Sequence, residues 1–395
     1  MIESLPDVAR RLPVRVNGAA KPAMVKTRIA LVIESLGRGG AQRQLALLLA
    51  HLNRGEFEPV VVSLAGAGIW SPEIRGLDVP LVELPRRGGP AARLLALTRT
   101  LRALRPDLVH TFLLYDNIYG TPAALLARAP RLVASRRYDP DAAERSPKHW
   151  LNRRLIYLAD AVVCNTARAV RTAPRWPAPR HVLIPNAFAP VAAMSREAAR
   201  ADIGLGRDDL VIGNVGRLVA VKNPGLFAAV AETVRRRYPA ARFVWIGDGP
   251  LAGALANEPG VTVTGDRPNA AALLLAFDVF LVTSDREGMS NALMEAMGAS
   301  LACVATNAGG NEELVIDGEC GYVRGVRDVV ALAQCVERFL ADRDLGRSFG
   351  TNARRRMETE FTAPRMADRM QALYRQVVDA ERSPERGRMA AEARR

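Results

Sequence analysis

Two acidic residues that can flank a bound molecule lie close together in the second half of the chain. Glu287 and Glu295 are eight positions apart within the segment SDREGMSNALMEAMGASLACVATNAGGNEEL, residues 284–314. The spacing alone carries little weight, because Glu is a common residue. The residues around the pair make the pattern more specific.

A helix start lies between the two glutamates. Ser290 or Asn291 is suited to cap a helix that contains Glu295. The start of that helix presents free N–H groups and a partial positive charge to a phosphate. Gly288 lets the backbone approach a ligand closely, and the glycine pair at 309–310 repeats this feature after the next strand-like run. The combination indicates a bound phosphate compound; the alternative is a surface loop before a capped helix.

Other patterns with possible chemistry are weaker. Residues 247–252 fit a dinucleotide fingerprint only superficially, because they follow the second strand of their domain and a proline occupies the turn. There is no GxxxxGK[ST] sequence. Asp pairs at 139–141 and 342–344 have DxD spacing without further ligands nearby, and the four histidines form no HExxH set. We therefore expect no metal and no cofactor.

Strand-like apolar runs alternate with segments of helical length, which is typical of parallel sheets covered by helices. In the first half the runs are 28–34, 59–64, 79–84, 107–111, 131–135 and 160–164, with helices at 41–53, 91–105, 117–128 and 147–158. In the second half they are 210–215, 242–246, 261–264, 277–282 and 301–305, with helices at 224–237, 250–256, 269–275, 290–298, 327–341 and 344–360. The pattern predicts an α/β protein with two doubly wound domains, whose ligands bind beyond the carboxyl ends of the strands.

A length of 395 residues also favours two domains. We expect a flexible extension over residues 1–25, a first domain over 26–185, a linker over 186–209 and a second domain over 210–361. The proline-rich stretch 174–190 is interpreted as the connection between the domains. The charged tail, 382–395, is expected to be disordered.

The net positive charge is confined to the first half of the chain. Residues 1–190 contain 28 Lys and Arg against 14 Asp and Glu, which leaves 27 of each in the remainder, so the whole net charge of +14 belongs to the first half. An anionic membrane surface is one partner that fits, at about 1 kcal/mol per basic residue near the headgroups. Nucleic acid is not expected, because no nucleic-acid-binding motif is present. An arginine-rich composition without any partner is the alternative.

Membrane-spanning and secretory signals are not found in the sequence. No run approaches the roughly 20 apolar residues that cross a bilayer, and the basic N-terminal segment has no apolar core. The four cysteines form no CxxC pair, which favours reduced thiols. We expect a cytoplasmic protein, peripheral on the inner face of the membrane if the basic half binds lipid.

The segment around the two glutamates resembles the E-x7-E signature of glycosyltransferase family 4, a family of retaining enzymes with the GT-B fold. The resemblance extends over GRGGAQRQL (37–45), DLVHTFLLYDNIYG (107–120), GNVGRLVAVKNP (213–224) and VWIGDGP (244–250). It implies two Rossmann-like domains facing across a cleft, with the donor in the second domain. It also implies that a final helix, about 362–380, crosses back onto the first domain.

The resemblance assigns roles to individual residues. Arg217 and Lys222 are expected to hold the donor diphosphate, where two fixed cations offset the charge on the departing nucleotide. Glu287 is expected to contact the donor sugar, and Glu295 the ribose. The other donor contacts that it implies are Gly288, Met289, Ser290 and Asn291 for the sugar or phosphate, Gly39 and Gly40 for the diphosphate, and Asp266 and Arg267 near the base.

His110 ends a strand beside the expected cleft and matches a family position near the transferred sugar. A buried structural histidine is the alternative. Arg136, Arg137 and Tyr138 follow another strand end in the basic domain, and we expect them to contact the acceptor. Met289 replaces the more usual aromatic residue of the family, which leaves the donor sugar open.

The function implied is retaining, metal-independent transfer of a sugar from a nucleotide-diphosphate sugar to a lipid-linked or polysaccharide acceptor in surface glycan synthesis. The sequence supplies no clear nucleophile, so positioning and electrostatics are expected to carry catalysis. A nucleotide-sugar epimerase of the same architecture and a non-catalytic nucleotide-sugar binder are the alternatives.

Overall fold

A computed structural model describes residues 26–86, 88–137, 146–173, 180–190 and 194–380. The predicted N-terminal extension (1–25) and C-terminal tail (382–395) lie outside these residues, as does Tyr138. The described chain forms two parallel sheets, each with helices on both faces. Together they confirm the predicted α/β architecture.

The first sheet has seven strands in the order β3-β2-β1-β4-β5-β6-β7. They are β1 (Thr27–Ile33), β2 (Phe57–Ser63), β3 (Leu81–Glu83), β4 (Leu108–Thr111), β5 (Arg131–Arg136), β6 (Ala161–Cys164) and β7 (Arg180–Leu183). Its helices are α1 (Gly40–His51), α2 (Ser71–Gly76), α3 (Pro90–Leu104), α4 (Leu114–Leu126), α5 (Pro147–Ile156) and α6 (Ala167–Arg171). The central strands are buried on both faces, which explains their continuous Val, Ile and Leu runs.

The second sheet has six strands in the order β10-β9-β8-β11-β12-β13. They are β8 (Leu210–Val215), β9 (Ala241–Ile246), β10 (Val261–Val263), β11 (Val279–Val282), β12 (Ala302–Thr306) and β13 (Tyr322–Arg324). Its helices are α7 (Arg196–Asp202), α8 (Pro224–Arg237), α9 (Ala252–Ala256), α10 (Ala270–Leu273), α11 (Asn291–Gly298), α12 (Asn311–Leu314), α13 (Val329–Ala341) and α14 (Arg343–Glu360). Single 3-10 turns occupy Ala220–Lys222 and Leu274–Ala276.

The segment between the sheets is more structured than predicted. Part of the stretch interpreted as a connection, 174–190, forms β7, which pairs with β6 and extends the first sheet. Part of the predicted linker, 186–209, forms α7, whose buried Arg200 donates to the carbonyl oxygen of Ala276 at 3.1 Å and to the Asp278 carboxylate at 3.0 Å. Both elements are too short to show a clear hydrophobic period, and the prolines of this stretch therefore favoured a connecting segment in the prediction.

The final helix, α15 (Ala363–Asp379), lies on the first sheet although it follows the second domain. The chain returns where the backbone N–H of Phe188 donates to the carbonyl oxygen of Phe361 at 2.6 Å. Met370 and Tyr374 of α15 are buried in the same core as Leu45 of α1. The last helix therefore ties the second domain to the core of the first.

Truncating Met370 tests this tie. Met370→Ala removes a fully buried side chain and should lower the free energy of unfolding by about 2–5 kcal/mol. Arg369→Ala, at an exposed position of the same helix, is the matched control and should change it by less than about 0.5 kcal/mol. Urea denaturation measures both variants, and equal stabilities would contradict the packing of α15 on the first domain.

Candidate active site

Glu287 lies in the loop between β11 and α11, at the carboxyl edge of the second sheet. Its Oε1 accepts a hydrogen bond from Ser284 Oγ at 2.8 Å and forms an ion pair with Lys222 Nζ. Lys222 belongs to the turn that follows β8, so two neighbouring strands bring the cation and the acid together. The Glu287 side chain is 11% exposed. A carboxylate this enclosed requires a charged partner, and Lys222 is that partner.

The backbone around Glu287 is held by the glycine pair of the next loop. Gly309 has φ +58°, and a Cβ there would lie 1.9 Å from the carbonyl oxygen of Glu287. The N–H of Gly310 donates to the carbonyl oxygen of Gly288 at 2.7 Å. Any larger residue at 309 would therefore displace the Glu287 loop. Here the glycines serve the packing of one loop on another.

Ser290 caps α11, accepting from the N–H of Leu293 at 3.4 Å. The Met289 side chain is 6% exposed and lies in the core of the second domain, while its carbonyl oxygen accepts from Asn186 Nδ2 at 3.3 Å. Of the residues at this helix start, Asn291 faces the first domain: its Oδ1 accepts from Asn186 Nδ2 at 2.9 Å and from Gln44 Nε2 at 3.2 Å. The loop predicted to meet the sugar or phosphate is thus built into the domain junction.

Glu295, one turn into α11, is 9% exposed and forms an ion pair with Arg43 of α1. Burial raises the pKa of Glu295, and the Arg43 guanidinium opposes that shift. The pair crosses from one domain to the other. Arg43 was not among the predicted site residues, although it lies in the glycine-rich segment that carried part of the resemblance.

A second ion pair crosses the cleft between Arg38 and Asp266. Both side chains are about half exposed, at 44% and 55%, so this pair contributes little to stability. Arg267, beside Asp266, is partly buried. The loop predicted to lie near the base thus faces the glycine-rich loop of the first domain.

Gly39 and Gly40 stand at the N-terminus of α1, as the cap and the first helical residue. A Cβ on Gly40 would lie 2.3 Å from Asn291 Nδ2, so the two domains approach closely at this point. Arg217 is exposed two residues beyond the end of β8. The structure therefore brings Lys222 and Glu287 into contact and leaves Arg217 on the open side of the same strand end.

The glycines at 247 and 249 have a structural explanation. A Cβ on Gly247 would lie 2.1 Å from the carbonyl oxygen of Gly216, and one on Gly249 would lie 2.4 Å from that of Leu218. Both glycines have positive φ, 148° and 158°. They allow the loop after β9 to pack on the loop that carries Arg217, and this close packing accounts for the Gly-x-Gly pattern.

His110, predicted to lie near the transferred sugar, packs in the core of the first domain. Its ring is fully buried, with Nδ1 2.7 Å from the Tyr374 hydroxyl and Nε2 2.9 Å from Ser135 Oγ. It also stacks on Phe112, with ring centroids 4.3 Å apart. Both ring nitrogens are therefore engaged by protein groups.

The predicted acceptor residues separate. Arg136 is 5% exposed and donates to the carbonyl oxygen of Ala169 at 3.3 Å. Arg137 points to the domain junction: it donates to Asn186 Oδ1 at 3.0 Å and lies 5.5 Å over the Phe112 ring. Burial lowers the pKa of Arg137 to about 10. Successive side chains along an extended strand point to opposite faces, which places Arg136 in the core and Arg137 at the domain junction.

Within the described ranges, His, Cys, Asp and Glu form no group of three or more that could hold a metal ion. Among the same residues, no helix combines the length and the apolar character that crossing a bilayer requires.

Comparison of the sequence and the fold with known proteins identifies the class of protein. Residues 39–187 match the family model described as glycosyl transferase 4-like domain, and residues 209–342 match the model described as glycosyl transferases group 1. The Anabaena protein HepE, solved with UDP and glucose, superposes with a TM-score of 0.74 at 19% identity, covering 88% of this chain and 99% of its own. The fold and site define a glycosyltransferase of the GT-B type.

The chain belongs to glycosyltransferase family 4. The UDP-Gal:alpha-D-GlcNAc-diphosphoundecaprenol alpha-1,3-galactosyltransferase of Escherichia coli is 27% identical over 308 residues, 72% of this chain and 79% of that enzyme. The N-acetyl-alpha-D-glucosaminyl L-malate synthase of Bacillus anthracis is 30% identical over 145 residues, 35% of this chain. That match spans only 38% of the Bacillus enzyme.

Enlarging Gly288 tests the close approach of the domains. A Cβ at Gly288 would lie 2.6 Å from the backbone oxygen of Arg137, so Gly288→Ala should push the two loops apart. A displacement of this size should lower kcat/KM on the order of 10²-fold. Gly253→Ala, where a Cβ has open space, is the matched control. Steady-state kinetics compare the two, and equal activity would contradict the junction described here.

Buried His110 should make the stability depend on pH. Burial, with Arg137 nearby, holds the pKa of His110 well below 6.5, the value expected in the unfolded chain. Below about pH 6.5 the unfolded state therefore binds more protons, and stability falls as pH drops, by up to about 1.4 kcal/mol per pH unit. His110→Asn should remove that contribution. Urea denaturation between pH 5 and 8 measures the slope, with His51→Asn, at an exposed position, as the control; unchanged slopes in both variants would refute the assignment.

Proposed function

We propose that this chain transfers a sugar, with retention of configuration and without a metal, from a nucleotide-diphosphate sugar to a lipid-linked or polysaccharide acceptor in surface glycan synthesis. The observation that carries the proposal is the Lys222–Glu287 pair at the carboxyl edge of the second sheet, beside the N-terminus of α11. A cation and a helix start suit a diphosphate, and an adjacent carboxylate suits sugar hydroxyls.

The arrangement suggests how the residues divide the reaction. Lys222 and the exposed Arg217 stabilise the negative charge that develops on the diphosphate as its bond to the sugar C1 breaks. An acceptor hydroxyl forms the new bond to C1 on the same face, and its proton passes to a diphosphate oxygen. Glu287 accepts hydrogen bonds from the sugar through its other carboxylate oxygen, because Ser284 and Lys222 already hold Oε1. No covalent step is assigned to it.

The two ion pairs across the cleft are part of the proposal. Glu295 and Asp266, expected to meet the ribose and the region of the base, are paired with Arg43 and Arg38 of the first domain. A bound nucleotide then lies between groups from both domains. Closing the cleft and recognising the nucleotide therefore use the same residues.

The acceptor is proposed from the relatives and from the charge. The Escherichia coli relative is named for an acceptor linked to diphosphoundecaprenol. The basic first half of this chain fits the cytoplasmic face of an anionic membrane, where a lipid-linked acceptor would be presented. An epimerase or a silent binder would show no acceptor-dependent transfer. The Escherichia coli relative, by contrast, is named as a transferase, which favours transfer over these alternatives.

Replacing Lys222 tests the assignment of the donor site. Lys222→Ala removes a cation from the diphosphate site and should lower kcat by about 10²–10³-fold. Glu287→Ala should abolish most of the turnover as well. Sugar transfer from a panel of nucleotide sugars measures activity, and stabilisation by the free nucleoside diphosphates measures binding. The exposed Arg355→Ala serves as control; full activity in the Glu287 variant would refute the proposed site.

A further inference from the structure

One outer face of the first domain carries an unusual set of side chains. Helices α3, α4 and α5 pack on one side of the first sheet, where their buried residues form a common core. Nine large apolar side chains are exposed in the described parts of the chain, and five of them lie on these three helices. They are Leu95 on α3, Leu125 and Leu126 on α4, and Trp150 and Leu151 on α5, each 40–52% exposed.

Basic residues surround these apolar side chains. Arg99 and Arg102 follow Leu95 on α3 at spacings of four and seven, which places the three on one stripe of the helix. Arg154 stands one turn beyond Trp150, with its guanidinium 5.4 Å from the ring centre. Arg128 is exposed just beyond α4. Aliphatic and aromatic groups thus alternate with cationic heads across the face.

The three helices themselves contribute almost no acidic residues to this face. The sequences of α3, α4 and α5 contain one acidic residue, Asp116, which is fully buried. On α14, by contrast, arginines alternate with acids and pair with them, as Arg354 does with Glu358 and Arg356 with Glu360. The described helices α3–α5 therefore supply basic residues to this face but no exposed acidic residue.

The face also adjoins the candidate active site. Helix α4 begins three residues after β4, at the carboxyl edge of the sheet that lines the cleft. There Lys148, at the start of α5, donates to the Tyr115 hydroxyl of α4 at 2.8 Å. Arg137, which reaches the domain junction, follows directly on β5 in the same sheet. A molecule lying along this face would thus have one end at the cleft.

We propose that the α3–α5 face docks on an anionic lipid bilayer, with Trp150 and the four leucines entering the headgroup region and the arginines contacting lipid phosphates. Trp and Arg side chains with an apolar body and a polar end suit this interface. The inference extends the proposed function, from which it takes the lipid-linked acceptor: the docked face would present that acceptor to the cleft. Nucleic acid also attracts arginines, but binding to it would not explain the five exposed apolar side chains.

Vesicle sedimentation of the full-length protein tests the docking. Wild-type protein should bind phosphatidylglycerol-containing vesicles at least tenfold more tightly than pure phosphatidylcholine vesicles, and salt should weaken the binding. Arg99→Glu with Arg154→Glu should reduce binding at least tenfold. Trp150→Ser with Leu126→Ser should reduce binding that persists at high salt. Brominated lipid should quench tryptophan fluorescence in the wild type, and less in Trp150→Phe.

The matched controls lie on the second domain. Val330→Ser removes an apolar side chain that is 62% exposed, and Arg355→Glu reverses an exposed charge on α14. Neither should change vesicle binding. Equal losses in the control variants, equal binding to neutral vesicles, or no binding would overturn the proposal.

The docking can fail independently of the enzyme. Stabilisation of the surface variants by a nucleoside diphosphate should equal that of the wild type, because α3–α5 contribute none of the donor residues. If vesicles bind while no sugar is transferred, the docking surface stands and the proposed function fails. If transfer to a water-soluble acceptor proceeds while vesicles do not bind, the proposed function stands and the docking surface fails.

Discussion

Two nearly buried carboxylates and the cations that neutralise them organise this molecule. A carboxylate withdrawn from water is costly unless a cation or strong donors accompany it. Glu287 finds Lys222 within its own domain, and Glu295 finds Arg43 on the other domain. The first pair holds the loop between β11 and α11, and the second connects α11 to α1 of the first domain. Only the second pair depends on the approach of the two carboxyl sheet edges.

That approach is possible because side chains are missing at the points of closest contact. Gly288 lies against the backbone of Arg137, and Gly40 lies against Asn291. Amide side chains fill the remaining space. Asn186 Nδ2 donates to the carbonyl oxygen of Met289 and to Asn291 Oδ1. Gln44 Nε2 donates to the carbonyl oxygen of Ala187 and to Asn291 Oδ1. The final helix adds a covalent return to the first domain. The cleft is therefore a polar junction with a defined geometry rather than an open gap.

The sequence predicted the position of the Glu287 loop, between a strand and a capped helix, because local patterns signal such a loop. A capped helix after a strand, with acids and glycines at set intervals, must place those residues at the edge of a parallel sheet. His110 shows where this reasoning stops. It also ends a strand, but its ring turns into the core and bonds Tyr374, a residue 264 positions later that only the folded chain brings near. Arg136 and Arg137 were inseparable in sequence, and strand alternation divides them between core and junction.

The amino-acid sequence by itself determined the fold class, the division into two sheets, the position of Glu287 in a loop before a capped helix, and the placement of the net positive charge in the first half. These features follow from hydrophobic period, capping and composition, which act over a few residues. Tertiary structure alone decided that Arg43 meets Glu295, that β7 and α7 belong to the domains, and that the basic residues share a face with exposed leucines and Trp150. Such contacts join residues far apart in the chain, and their partners are set by the packing of the sheets and helices, which no local pattern records.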